Sequence, residues 1–192
     1  MSVVPKISRE RIVEIASELF YHNGYNQTSF SQLAEACHIP KGNFYYHFKT
    51  KQDILDAVID KRTNDIVSVL QSWDDESSDP HARLLCFVRM LKRSQDELLR
   101  FGCPMGTINL ELGKSQPQLQ TQSAKMFELF INWLVLQFNL LGYEEEKSRF
   151  KAYYLMNQAQ GCATLLYSLK DKSMFDKQLA YLEDWLNTIK KS

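Results

Sequence analysis

The 192-residue chain has little that punctuates a backbone: seven glycines and five prolines. So few turn-formers leave room mainly for long helices on short joints. It has no apolar run near the roughly 18 residues that suggest a membrane span. Its start, "MSVVPKISRERIVEIA", lacks the charged opening, apolar stretch and small-residue cleavage site of a secretory signal. The expectation is a cytoplasmic chain with no membrane partner. Cys37, Cys86, Cys103 and Cys162 are scattered, with no Cys-x-x-Cys pair and no Cys/His cluster at metal-ligand spacing. Free thiols packed as small apolar groups are expected. Lysine plus arginine and aspartate plus glutamate both total 23, which speaks against indiscriminate polyanion binding but permits a local basic face. No nucleophile–base pair, paired carboxylates or phosphate-cradling glycine loop stands out. Neither an enzyme, nor a cofactor, nor a metal site is expected.

No stretch alternates like a strand; what is present repeats with a helical period. Ser8 caps a first helix whose stripe is Ile12, Ile15, Ala16, Leu19 and Phe20, and Gly24 stops it. Ser29 and Gln32 form a capping-box pattern for a second helix, with Phe30, Leu33, Ala34 and Cys37 on its inner face. Pro40 suits the first turn of a third helix, "KGNFYYH". At about 100° per residue, Phe44 and Phe48 share one side of it. Gly42, Asn43 and Tyr46 lie opposite, with Tyr45 and His47 on the flanks. Thr50 and Asp53 open a long fourth helix reaching the polar joint "SWDDESSDP". Helices are then predicted over 80–100, 103–113, 117–141, 145–170 and 173–190. The fold class is all-α.

Three short helices with a polar outer face on the third describe a helix-turn-helix unit. A recognition helix must be narrow and held from below, and Gly42 lets backbone approach DNA closely. Lys41 and Asn43 carry donors for base edges or phosphates, and Tyr45, Tyr46, His47 and Lys51 carry donors for phosphates. Periodicity alone leaves a second reading open, a small helical bundle whose aromatics merely pack. His38 and His47 do not share a helical face, which disfavours a metal site between them.

The stretch "ERIVEIASELFYHNGYNQTSFSQLAEACHIPKGNFYYHFKTKQDIL" resembles the N-terminal DNA-binding domain of TetR-family transcriptional regulators. "LFYHNGYNQTSFSQLAEA" and "PKGNFYYHFKTK" carry the resemblance. It implies an N-terminal three-helix helix-turn-helix domain, residues 1–52, with a connecting helix running to about residue 74. A larger helical ligand-binding and dimerisation domain, 53–192, would follow. The implied partners are double-stranded operator DNA, a second copy of the chain and a small-molecule effector. Ser31, Lys41, Gly42 and Asn43 would face bases or nearby backbone. Thr28, Ser29, Tyr45, Tyr46, His47 and Lys51 would hold phosphates. Pro40 departs from the pattern, standing where a small capping hydroxyl often precedes the lysine. The implied activity is that of a repressor released by its effector; a helical interaction module without DNA binding is the rival.

Beyond residue 80, "MFELFINWLVLQFNLL" is apolar on almost every side and is expected at the centre of the second domain. Phe175, Leu179, Leu182, Leu186 and Ile189 repeat as a seam, and Gln158, Gly161, Cys162 and Leu165 form a face with small members. Either can pack within the chain; because the family dimerises through its last two long helices, both are assigned here to a C2 interface. In "RFGCPMGTINLEL", Gly102 and Pro104 place Cys103 at a helix start, where backbone N–H groups and the helix dipole favour a thiolate. A buried structural cysteine is the alternative. A similar Gly-Cys joint occurs in a branch of the family that includes electrophile-responsive repressors, which makes Cys103 a candidate sensor. An effector pocket is expected near Phe101, Met105, Phe127, Phe130, Trp133 and Tyr154.

Overall fold

The computed structural model describes residues 8–189, and every regular element among them is helical. In chain order they are α1 (Arg9–Asn23), α2 (Phe30–Ala36), α3 (Lys41–His47), α4 (Lys51–Glu76) and α5 (Pro80–Arg93). There follow α6 (Gln95–Phe101), α7 (Pro104–Ser115), α8 (Pro117–Leu140), α9 (Glu145–Leu169) and α10 (Lys172–Thr188). The helix expected over 80–100 is interrupted at Ser94, whose backbone (φ −90°, ψ 8°) leaves the helical region and separates α5 from α6.

Local chemistry sets most boundaries. The Ser8 hydroxyl accepts the Arg11 N–H at the start of α1. At α2 the capping box closes in both directions: Gln32 N–H donates to Ser29 Oγ at 3.2 Å, and Ser29 N–H donates to Gln32 Oε1 at 2.7 Å. Thr50 and Asp53 make the same reciprocal pair before α4, at 3.0 and 2.9 Å. Asp79 and Asp171 cap α5 and α10. Each such cap contributes about 1 kcal/mol.

The chain divides into two compact units, and the division is not linear in sequence. Residues up to Asp65 join with Thr107–Ser123, while Ile66–Gly106 joins with the chain from Ala124 onward. Helices α4, α7 and α8 therefore contribute residues to both.

In the first unit, α1, α2 and α3 bury Ile12, Val13, Ala16, Phe20, Leu33, Ala34, Phe44 and Phe48. Val13, absent from the expected stripe, is inside, whereas Ile15, Leu19 and Phe30 are only half-buried. Phe30 instead stacks on the Tyr45 ring with centroids 4.7 Å apart and meets Phe44 edge-on at 4.7 Å. In the second unit a large apolar core joins α5, α8, α9 and α10. Arg83 crosses its edge. It donates to the Asp74 and Ser77 carbonyls at 3.0 and 2.6 Å and pairs with the Asp74 carboxylate, which also accepts the Trp133 indole N–H at 3.2 Å. These bonds let a half-buried charge sit beside apolar side chains without an unmet donor.

Candidate nucleic-acid interface

The turn between α2 and α3 aims the third helix. His38 has φ 54°, its N–H donates to the Glu35 carbonyl at 2.9 Å, and Ile39 N–H donates to the Ala34 carbonyl at 3.3 Å. This is a Schellman closure with histidine in the left-handed position that glycine usually fills. Ile39 then tucks inside, and Pro40 (φ −57°, ψ 142°) stands just before α3 rather than within its first turn.

Helix α3 is two-faced as its spacing predicts. Phe44 and Phe48 are buried, while Gly42 and Asn43 are exposed and Tyr46 is 79% exposed. A methyl group built at Gly42 would have nothing within 4 Å, so the chain's own packing does not require glycine there. Tyr45 is half-committed to its stack on Phe30. The Lys49 ammonium donates to the Tyr45 carbonyl at 2.8 Å at the helix's C-terminal end, where a positive charge meets the dipole favourably. Ser29 and Ser31 are exposed on α2. Lys41 opens α3, but its side chain lies outside the described residues.

Two expected phosphate contacts are placed elsewhere. Thr28 is 0% exposed, and its hydroxyl donates to the Gly24 carbonyl at 2.7 Å. A side chain with no accessible surface reaches no phosphate, so Thr28 shapes the turn between α1 and α2. The Lys51 ammonium donates to the carbonyls of Tyr25 (2.9 Å) and Thr28 (3.1 Å) and lies 4.3 Å from the Tyr25 ring centroid. Two of its three N–H donors are used inside the protein. Burial holds it below its ordinary pKa, and the nearby Glu111 charge opposes that shift. Among the described residues no group of three or more His, Cys, Asp or Glu could hold a metal ion.

The profile described as bacterial regulatory proteins, tetR family, matches residues 12–58, which run from α1 into α4. A crystal structure of a TetR transcriptional regulator from Legionella pneumophila superposes with TM-score 0.84 and 28% identity, covering 99% of this chain and 100% of that one. The chain belongs to the TetR family. It is 27% identical over 168 residues to the HTH-type transcriptional regulator YxaF of Bacillus subtilis, covering 86% of this chain and 88% of that protein. It is 25% identical over 125 residues to the HTH-type transcriptional repressor DhaR of Mycobacterium sp., covering 64% of this chain and 61% of that protein. Function follows at the level of the family: this is a DNA-binding transcriptional regulator, not an enzyme. Regulators of this family bind operator DNA as dimers and answer to small-molecule effectors. No described helix is long and apolar enough to cross a membrane.

In this TetR-family chain the seam of α10 has an occupant already. Phe175, Leu179, Leu182 and Leu186 are all buried, and α10 packs on α5 and α9 of its own chain. Cys162 is likewise buried and Gln158 half-buried. The partner that this periodicity calls for is thus in the same chain, not in a second copy, because a 3.5-residue repeat specifies a helical partner but not its chain. The outward faces carry different side chains: Phe150 at 75% exposure, Leu165 at 58% and Tyr181 at 65%, with Gly161 in open space between the first two along α9.

Of the residues expected around a pocket, Phe130 and Trp133 are core, and Met105 and Phe127 pack against it. Arg100 lies 5.0 Å from the Phe101 ring centroid. Tyr154 does line a cleft of about 780 Å³, together with Tyr143, Glu146, Lys147, Phe150, Lys151 and Trp185. Cys103 is half-buried just ahead of Pro104, and its sulfur accepts the Gly106 N–H at 3.4 Å, acting as the cap of α7. Glu111, which sequence reasoning passed over, accepts the backbone N–H groups of Tyr25 and Asn26 at 2.9 and 2.6 Å. No local pattern marks it, since its partners lie more than 80 residues away.

Proposed function

We propose that this regulator is a repressor that holds a roughly palindromic operator as a C2 dimer, one α3 in each of two successive major grooves. The observation that carries this is the two-sided build of α3, with Phe44 and Phe48 buried and Gly42, Asn43 and Tyr46 exposed. Ser31, Lys41, Gly42 and Asn43 face bases, and Ser29, Tyr45, Tyr46 and His47 take phosphates. Residues 1–52 form the reading head, and 53–192 form the effector and dimer domain. The dimer closes through the outward sides of α9 and α10, around Gly161, Leu165 and Tyr181. The name of the relative DhaR as a repressor supports the sign of the effect.

The effector must bind the DNA-incompetent state better than the competent one, since only differential affinity moves the equilibrium. Cys103 is the proposed point of thiol attack, and its place as the cap of α7 supports this: a group added to the sulfur that accepts the Gly106 N–H crowds the start of that helix. The test selects bound duplex from a random pool and compares wild type with Lys41→Ala and Tyr46→Ala. Both variants stay folded dimers and lose the selected duplex; retained affinity in both refutes the reading face. A thiol-reactive electrophile releases wild type from DNA but not Cys103→Ser, and an equal response refutes the sensor.

A further inference from the structure

The turn between α1 and α2 is gripped from two sides by opposite charges. Gly24 ends α1 with φ 85°, and a methyl group there would meet the Glu111 carboxylate at 3.3 Å. The positive φ calls for glycine, and the close approach leaves little room for a side chain unless the carboxylate shifts. Glu111, on α7, accepts the Tyr25 N–H at 2.9 Å and the Asn26 N–H at 2.6 Å. Lys51, on α4, donates to the Tyr25 carbonyl at 2.9 Å and the Thr28 carbonyl at 3.1 Å. Both backbone groups of Tyr25 are therefore held by side chains, and its ring is fixed against Phe20 with centroids 5.1 Å apart. Ser29 caps α2 four residues after Tyr25. Whatever fixes Tyr25 also fixes the entry into α2 and, through the tight turn at His38, the direction of α3. The two gripping helices, α4 and α7, are among those that contribute residues to both compact units.

We propose that Glu111 and Lys51 are positioning residues for operator binding, clamping the Tyr25 backbone so that α2 and α3 meet DNA at the productive angle. Neither needs to touch DNA for this. The inference rests on the DNA-binding reading of α3. Charge-assisted bonds to backbone groups are the stronger kind, and two from one carboxylate also define a direction.

The test uses the full-length protein and a duplex selected by wild type. In Glu111→Ala the affinity falls about tenfold or more, and exchange of the Tyr25 and Asn26 amides accelerates. Glu111→Gln, which keeps one acceptor oxygen, falls between. Because no phosphate contact is lost, the salt dependence of binding by both Glu111 variants keeps the wild-type slope. Lys51→Met also weakens binding, and the losses in the double variant are less than additive because both side chains hold one segment. Wild-type affinity in Glu111→Ala, a reduced salt slope, or a loss explained wholly by the unfolded fraction overturns the proposal. If Glu111→Ala does not fold, the nearly isosteric Glu111→Gln decides by the same criteria. A wild type that selects no duplex overturns the reading of α3 and this inference with it; selection by wild type with equal binding by the variants overturns this inference alone.

Discussion

Replacing Gly42 with alanine separates what the chain needs from what its partner needs. The position lies in the first turn of α3, exposed, with nothing within 4 Å of an added methyl group. Inside the protein the change therefore removes only glycine's excess backbone freedom. That stabilises the folded state by about 0.4–1 kcal/mol, and the lower part of the range fits a first-turn position. For a chain of this length the midpoint of thermal unfolding rises by about 1–4 °C. At the DNA the sign reverses. A methyl on the face that approaches the groove holds the backbone off and breaks contacts worth about 1–3 kcal/mol, a loss of about 5- to 150-fold in each half-site. The assays are thermal unfolding followed by circular dichroism, and titration of a selected duplex at one fixed salt concentration. Gain in stability together with loss of binding is the expected pair. Unchanged affinity would show that Gly42 does not face the groove. A fall in the unfolding midpoint would show that the space around it is not open.

His38→Gly relieves a left-handed backbone that costs a residue with a side chain about 1–2 kcal/mol, less glycine's own entropy. A net gain of about 0.5–1 kcal/mol is expected in denaturant unfolding. Cys37 is buried, and burial pushes its thiol up to about 11 from an ordinary 9.0. The folded state thus keeps its proton where the unfolded chain releases it. The contribution, about 2–3 kcal/mol, is complete below pH 9 and lost as pH rises through about 11. Stability measured across that window should fall less steeply in Cys37→Ala. Leu165→Glu on the outward side of α9 gives folded monomers in sedimentation. Leu182→Ala, on the buried side of α10, instead costs about 2–5 kcal/mol in unfolding and leaves dimerisation of the folded chain intact.

The sequence alone determined the features whose causes are local. Ser29 with Gln32 and Thr50 with Asp53 are reciprocal pairs three residues apart, and hydrogen bonds over that span require only a helix start. The division of α3 into a phenylalanine side and a polar side likewise follows from 100° per residue. Tertiary structure decided every question of which surface meets which. Thr28 and Lys51 carry donors suited to phosphate, but folding buries the Thr28 hydroxyl on the Gly24 carbonyl and carries the Lys51 ammonium to the Tyr25 and Thr28 carbonyls, more than 20 residues away. The seam of α10 was legible as a seam, yet only the fold assigns it to α5 and α9 of the same chain. Glu111 is the limiting case: an unremarked carboxylate on α7 becomes a clamp on the reading head because folding closes a loop of more than 80 residues. Period and capping act within a turn or two of helix, whereas burial and long-range hydrogen bonding exist only once distant segments have met.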